Sequence, residues 1–151
     1  MSYSPLTVLL VEDDEIDVEA IRRSFKKLKI ANPIKNAKDG VEALGILRGI
    51  DGYEKICPPY IILLDINMPR MNGLELLEII RSDEELKDSV VFVLTTSDEE
   101  KDRFAAYQNN VAGYILKHKS GESFIDAVSM LEHYWKVVEL PKKSIGVEYN
   151  D

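Results

Sequence analysis

The sequence predicts an α/β domain, a doubly wound parallel sheet of five strands with five helices over its two faces. Three observations carry this. Short apolar runs alternate with helical patterns in the order βαβαβαβαβα, which argues for a parallel sheet covered on both sides. The runs "LTVLLV", "YIILL" and "VVFVL" are continuously apolar, as strands buried on both faces require. The length of 151 residues, with 45% hydrophobic and 30% charged residues, suits one globular domain.

The elements follow in order. Residues 6–11 form the first strand, which runs into Glu12, Asp13 and Asp14. Asp14 is a suitable N-cap for a helix in "DDEIDVEAIRRSFKKLKI", where Val18, Ile21, Phe25 and Leu28 recur at helical spacing. Asn32-Pro33 stops it. "IKNA" is a short second strand. "KDGVEALGILRGI" is a short helix with Val41, Leu44 and Leu47 on one face. Residues 51–59 read as a loop and Tyr60–Leu64 as the third strand. A helix starts at Asn72 or Gly73 and runs through "LELLEIIRS", and "DEELKDS" leads to the fourth strand, "VVFVLTT". "SDEEKDRFAAYQNN" is a helix with few apolar positions and "AGYILK" the fifth strand. "SGESFIDAVSMLEHYWKVV" is the last helix, ended by Pro141. Residues 1–140 are expected to form the domain, and 141–151 a polar tail too short to fold alone.

Charge and composition narrow the function. A net charge of -8 does not suit nonspecific binding to nucleic acid or an anionic membrane. It does suit a divalent cation where acids cluster. The single cysteine, Cys57, has no intrachain partner, which suits a reducing compartment. The N-terminus lacks a basic region before its short apolar stretch, unlike a signal peptide. No apolar run approaches the roughly 20 residues needed to span a bilayer. A cytoplasmic location is expected.

In this fold the C-terminal strand ends lie along one edge, where ligands bind in open α/β sheets. Glu12, Asp13 and Asp14 follow the first strand, Asp65 the third, Thr95, Thr96 and Ser97 the fourth, and Lys117 the fifth. Each alone is unremarkable, since strand-end acids cap helices and strand-end lysines are usually solvated. Together they suit phosphoryl transfer to a carboxylate. Carboxylates held together take a hard cation such as Mg2+, an oxygen-ligated ion. The cation and an ammonium neutralise the charge on the transferring group, and a carboxylate is a competent nucleophile.

These segments, "VED", "DINMPRMNG", "VLTTS" and "YILK", resemble in order the receiver domain of two-component response regulators, along most of the chain. The resemblance implies a flavodoxin-like sheet of order 2-1-3-4-5. It implies Asp65 as phosphoacceptor, with Glu12, Asp13, Asp65 and the Asn67 carbonyl holding Mg2+ or Mn2+, Asp13 more directly than Glu12. Thr95 resembles the switch hydroxyl, Lys117 the site lysine, and Tyr114 the aromatic that swings inward. Asn67, Thr96 and Ser97 are expected beside the path of the hydrolytic water, and Thr96 is larger than the residue receivers usually carry there. Softer cues, "LVEDDEID", the "NP" and "PP" pairs, "LTTSDEE" and "HYW", resemble single-domain regulators of the cyanobacterial-phytochrome type. The partners implied are a histidine kinase, of phytochrome type on those cues, and a downstream protein or phosphotransfer target, with no output domain in the chain.

One position departs from the family. His118 stands where receivers usually carry a proline after the lysine, often through a cis bond. A cis bond to a non-proline costs about 3–4 kcal/mol, so either the loop bears that strain or it is trans with Lys117 seated differently. An aspartyl-phosphate phosphatase of the dehalogenase type would want an acid two residues after the nucleophile, where Asn67 stands. A degenerate receiver that binds without phosphorylation is opposed by the intact Asp65, Asp13, Thr95 and Lys117. The chain is therefore expected to be a signalling protein and not an enzyme. Phe124, Val128, Leu131, Trp135 and Val138 form an apolar stripe on the last helix. Ala127, Met130, Tyr134 and Val137 widen it beyond what one core-facing side uses. This points to a homodimer through that helix and residues 113–117, against the alternative that Trp135 folds back onto its own sheet edge.

Overall fold

The computed structural model describes residues 5–141. The remaining tail and the first four residues lie outside the described part, and the expectations made for them with it. The elements are β1 (Thr7–Val11), α1 (Glu15–Lys27), β2 (Ile34–Ala37), α2 (Gly40–Arg48) and β3 (Tyr60–Leu64). Then come α3 (Gly73–Ser82), β4 (Val90–Thr95), α4 (Glu100–Gln108), β5 (Gly113–Leu116) and α5 (Ile125–Val137). All strand pairs are parallel and the order is β2-β1-β3-β4-β5. The fold is flavodoxin-like, as expected.

The apolar runs split their side chains between two cores because successive residues of a strand point to opposite faces. Leu9, Val11, Ile62, Leu64, Val91 and Val93 pack with Leu44, Leu47, Leu76, Leu77 and Ala106 under α2, α3 and α4. Val8, Leu10, Ile61, Leu63, Phe92 and Leu94 pack with Val18, Ile21, Phe25, Val128 and Leu131 under α1 and α5. Asp14 caps α1 by accepting the Ile16 N–H at 2.9 Å. Asn72 caps α3 through a reciprocal pair with Glu75. On α2, Leu44 and Leu47 are buried but Val41 is exposed; Ala43 and Ile46 complete the buried face instead.

The last helix starts later than its sequence pattern implies. Two 3-10 turns, Lys117–Lys119 and Glu122–Phe124, precede α5. Ser123 and Phe124 both have positive φ. The Ser120 carbonyl accepts the N–H groups of Asp126 and Ala127. The Ser24 hydroxyl of α1 donates to the Ser123 carbonyl. These ties bend the chain so that Phe124 packs against the core between α1 and α5. Trp135 is half-buried and lies on Phe25 of α1, with ring centroids 6.3 Å apart, and Tyr134 meets Phe92 edge-on at 4.9 Å. Trp135 thus folds back onto a helix of its own chain rather than a sheet edge.

Candidate functional site at the carboxyl edge of the sheet

β1 and β3 are adjacent and in register, Val11 opposite Leu64, so Glu12 and Asp65 leave the sheet side by side. The crossovers from β1 and β3 run in opposite directions, which opens a crevice at that point. Thr95 pairs with Leu116 across β4 and β5, bringing Lys117 to the same edge. Gly73 holds the loop after Asp65 close. A Cβ there would stand 2.6 Å from the Asp65 carbonyl oxygen and 2.5 Å from Ile66 Cα. The Gly73 N–H also donates to the Ile66 carbonyl.

Asp65 is buried, with hydrogen bonds to both carboxylate oxygens. Oδ1 accepts from Thr95 Oγ1 and from the Asn67 N–H, each at 3.0 Å. Oδ2 accepts from Lys117 Nζ at 3.1 Å. Glu12 is 2% exposed, and its Oε1 takes the same ammonium at 2.8 Å. Asp13 is exposed, and Glu12, Asp13 and Asp65 bring carboxylate oxygens within 4.8 Å of one another. Burial pushes the Glu12 carboxyl up, to about 8, the Asp65 charge adds to this, and Lys117 opposes it. Burial disfavours the Lys117 ammonium, but hydrogen bonds to Asp17 and Glu12 and the Asp65 charge outweigh it and hold its pKa above the ordinary value. An all-oxygen set of three carboxylates, two of them buried, fits a hard dication.

The Lys117–His118 bond is trans; among the described residues the cis peptide is Pro58–Pro59. The loop avoids the strain of a cis bond by forming a 3-10 turn, and Lys117 still reaches Asp65. His118 is exposed. Thr95 is fully buried, and its Oγ1 also accepts the Ser97 N–H at 3.3 Å. Tyr114 is half-buried, and its hydroxyl donates to the Ser97 carbonyl at 2.9 Å. Asp65, Thr95, Ser97 and Tyr114 therefore form one connected chain. Arg103 lies over the Tyr114 ring, 5.8 Å from its centre. Asn67 and Thr96 are exposed beside Asp65 and Thr95. The Ser97 hydroxyl is turned away to Asp102 at 2.5 Å. Two residues escaped the sequence reading. Asp17 of α1 takes Lys117 Nζ at 2.7 Å. Arg70 pairs with Asp39, the N-cap of α2, through two hydrogen bonds of 2.7 and 3.0 Å.

A flavodoxin-like sheet with a buried aspartate between a dication-compatible acid cluster, a hydroxyl and an ammonium defines an aspartate-centred switch-point site. The sequence matches the response regulator receiver domain over residues 8–129, and the chain belongs to that family. It is similar to Response regulator Rcp1 of Synechocystis sp., at 34% identity over 141 residues, covering 93% of this chain and 96% of the relative. The crystal structure of the phosphorylated cyanobacterial phytochrome response regulator RcpA superposes with a TM-score of 0.82 at 33% identity, covering 92% of this chain and all of that one. The Mn(2+)-bound form of Rcp1 gives 0.81 at 34% identity, covering 91% and 99%. The chain is thus a receiver of a two-component response regulator, a signalling protein. No helix among the described residues is long and apolar enough to cross a membrane.

Proposed function

We propose that Asp65 accepts a phosphoryl group from the phosphohistidine of a partner kinase and that the chain passes this state on through protein contacts. The observation that carries it is the setting of Asp65, with one carboxylate oxygen on Thr95 and Asn67 and the other on Lys117, beside Glu12 and Asp13. In the transfer a carboxylate oxygen of Asp65 attacks phosphorus. The P–N bond to the imidazole breaks, a P–O bond forms, and the leaving imidazole takes its proton from solvent. Lys117 neutralises charge on the phosphoryl oxygens and Thr95 donates to one of them. Glu12, Asp13 and Asp65, with the Asn67 carbonyl, would hold Mg2+ or Mn2+. Bound there, the ion spreads the remaining negative charge of the transferring group. Tyr114 reports the state of the site, because the Ser97 carbonyl it bonds belongs to the segment that Thr95 anchors.

The kinase is proposed to be of phytochrome type, since two similar proteins, RcpA and Rcp1, include one described as a cyanobacterial phytochrome response regulator. The chain acts in the cytoplasm as one receiver domain and signals to a protein target, without enzymatic output, and forms a homodimer through α5 and β5. Acetyl phosphate with Mg2+ should add one phosphoryl mass to the intact protein and none to Asp65→Asn. Label retained on Asp65→Asn would sink the assignment.

A further inference from the structure

Lys117 has one ammonium with three donors, and three carboxylates take them. Asp17 Oδ2 stands at 2.7 Å, Glu12 Oε1 at 2.8 Å and Asp65 Oδ2 at 3.1 Å. The shortest contact is to the acid outside the group that could hold a metal, which is Glu12, Asp13 and Asp65. The Lys117 side chain is 10% exposed and Asp17 21%. This is an enclosed pair and not a solvated surface contact, so its attraction is only partly screened. Asp17 sits in the first turn of α1, a rigid helix, whereas Lys117 follows β5 at the start of a 3-10 turn, with a trans peptide to the histidine next in line. A lysine side chain has four flexible methylenes and much rotamer freedom to lose.

We propose that Asp17 is a positioning residue for Lys117. It holds the ammonium from the α1 side, so that Glu12 and Asp65 can turn to a dication without the cation leaving the site. The inference rests on the reading of the site given under Proposed function. Its physical basis is a conflict of charges. A dication at Glu12 and Asp65 repels the ammonium and takes two of its three acceptors. Asp17 is the acceptor that remains. Without Asp17, the ammonium turns wholly onto Glu12 and Asp65 and competes with the dication. Once the dication binds, nothing retains the ammonium beside Asp65.

Glu15, also in the first turn of α1, is exposed and makes no contact with Lys117. Glu15→Gln therefore removes the same charge from the same helix end and serves as the control. Mn2+ affinity is read from the electron paramagnetic resonance of the free ion, for wild type, Asp17→Asn, Glu15→Gln, Lys117→Ala and Asp17→Asn with Lys117→Ala. Circular dichroism checks that each is folded. Acetyl phosphate labelling with Mg2+ is followed in parallel by intact mass. Asp17→Asn should weaken Mn2+ by about threefold or more beyond Glu15→Gln, since charged groups in direct contact are energetically coupled. That excess should vanish on the Lys117→Ala background, and labelling of Asp17→Asn should slow. Equal affinities of Asp17→Asn and Glu15→Gln, or the same excess with and without Lys117, would overturn the proposal. Failure of the parent reading looks different: wild type takes no label while the Mn2+ coupling between Asp17 and Lys117 persists.

Discussion

The two oxygens of Asp65 receive donors from β4, the 3-10 turn after β5 and the loop after β3, so the carboxylate is oriented before any phosphoryl group arrives. The residues beside it then control how water returns. Thr96 is exposed next to buried Thr95, and Asn67 is exposed beside Asp65. The hydroxyl of Ser97 is engaged by Asp102, whereas Thr96 and Asn67 are exposed. Thr96→Ala should therefore shorten the phosphoryl lifetime a few-fold, measured by loss of label after removing the donor. An unchanged or longer lifetime would exclude steric shielding by Thr96. Asp65, Glu12, Thr95 and Lys117 were legible in the sequence because each follows an apolar strand, and parallel topology delivers all such ends to one edge. Asp17 was not. An acid in a first helical turn is already accounted for by the helix dipole, and periodicity does not say that Lys117, just after β5, reaches back to the first turn of α1.

The loop from β3 to α3 is held by Gly73 against Asp65 and by Arg70 against the N-cap of α2. Gly73 starts α3 against the backbone of Asp65 and Ile66, and a Cβ added there would clash with backbone that cannot rotate away. Gly73→Ala should destabilise the fold by about 1–3 kcal/mol, as overpacking does, in a denaturant titration. It should also slow labelling of the folded fraction, because relief moves Asp65. Further on, the Arg70 guanidinium holds the Asp39 carboxyl below its ordinary value of 3.8, against the opposing effect of burial. A carboxyl lowered in the folded state contributes stability in full above the unfolded value and loses it as the pH falls through the folded one. The stability gap between wild type and Arg70→Met should thus be widest at neutral pH and close as the pH falls below the ordinary carboxyl value of 3.8. A gap independent of pH would mean that Arg70 acts by packing alone. The strand and helix bodies were readable from apolar runs and caps. The late start of α5 was not, since the turns at Ser123 and Phe124 depend on Ser24 in another helix.

At the scale of the whole molecule, the apolar surface is uneven. β5 is an edge strand. Val137 at the end of α5 is 79% exposed, Met130 and Val138 are also open, and Phe104 and Tyr107 are exposed on α4. Trp135 is committed to Phe25 within its own chain, so Trp135→Ala would loosen the fold and the interface together. Val137→Lys is the cleaner probe. It sits at the end of α5, where a cation suits the helix dipole, and an exposed substitution there should change stability by no more than about 0.5 kcal/mol. A stable homodimer buries about 800 Å2 on each partner, more than a few side chains supply, so the proposed dimer would need β5 and α5 together. Two copies each carrying a net charge of -8 also repel, and salt screens that repulsion. Apolar association on this face should therefore strengthen as salt is raised, the opposite of a dimer held by ion pairs. Sedimentation of wild type should show dimer at high micromolar concentration, more of it at high salt, and a shift to monomer in Val137→Lys. If phosphorylation reaches the interface through Thr95, Ser97 and Tyr114, labelled and unlabelled protein should differ in association free energy. Wild type that stays monomeric at every concentration and salt, labelled or not, would refute the dimer.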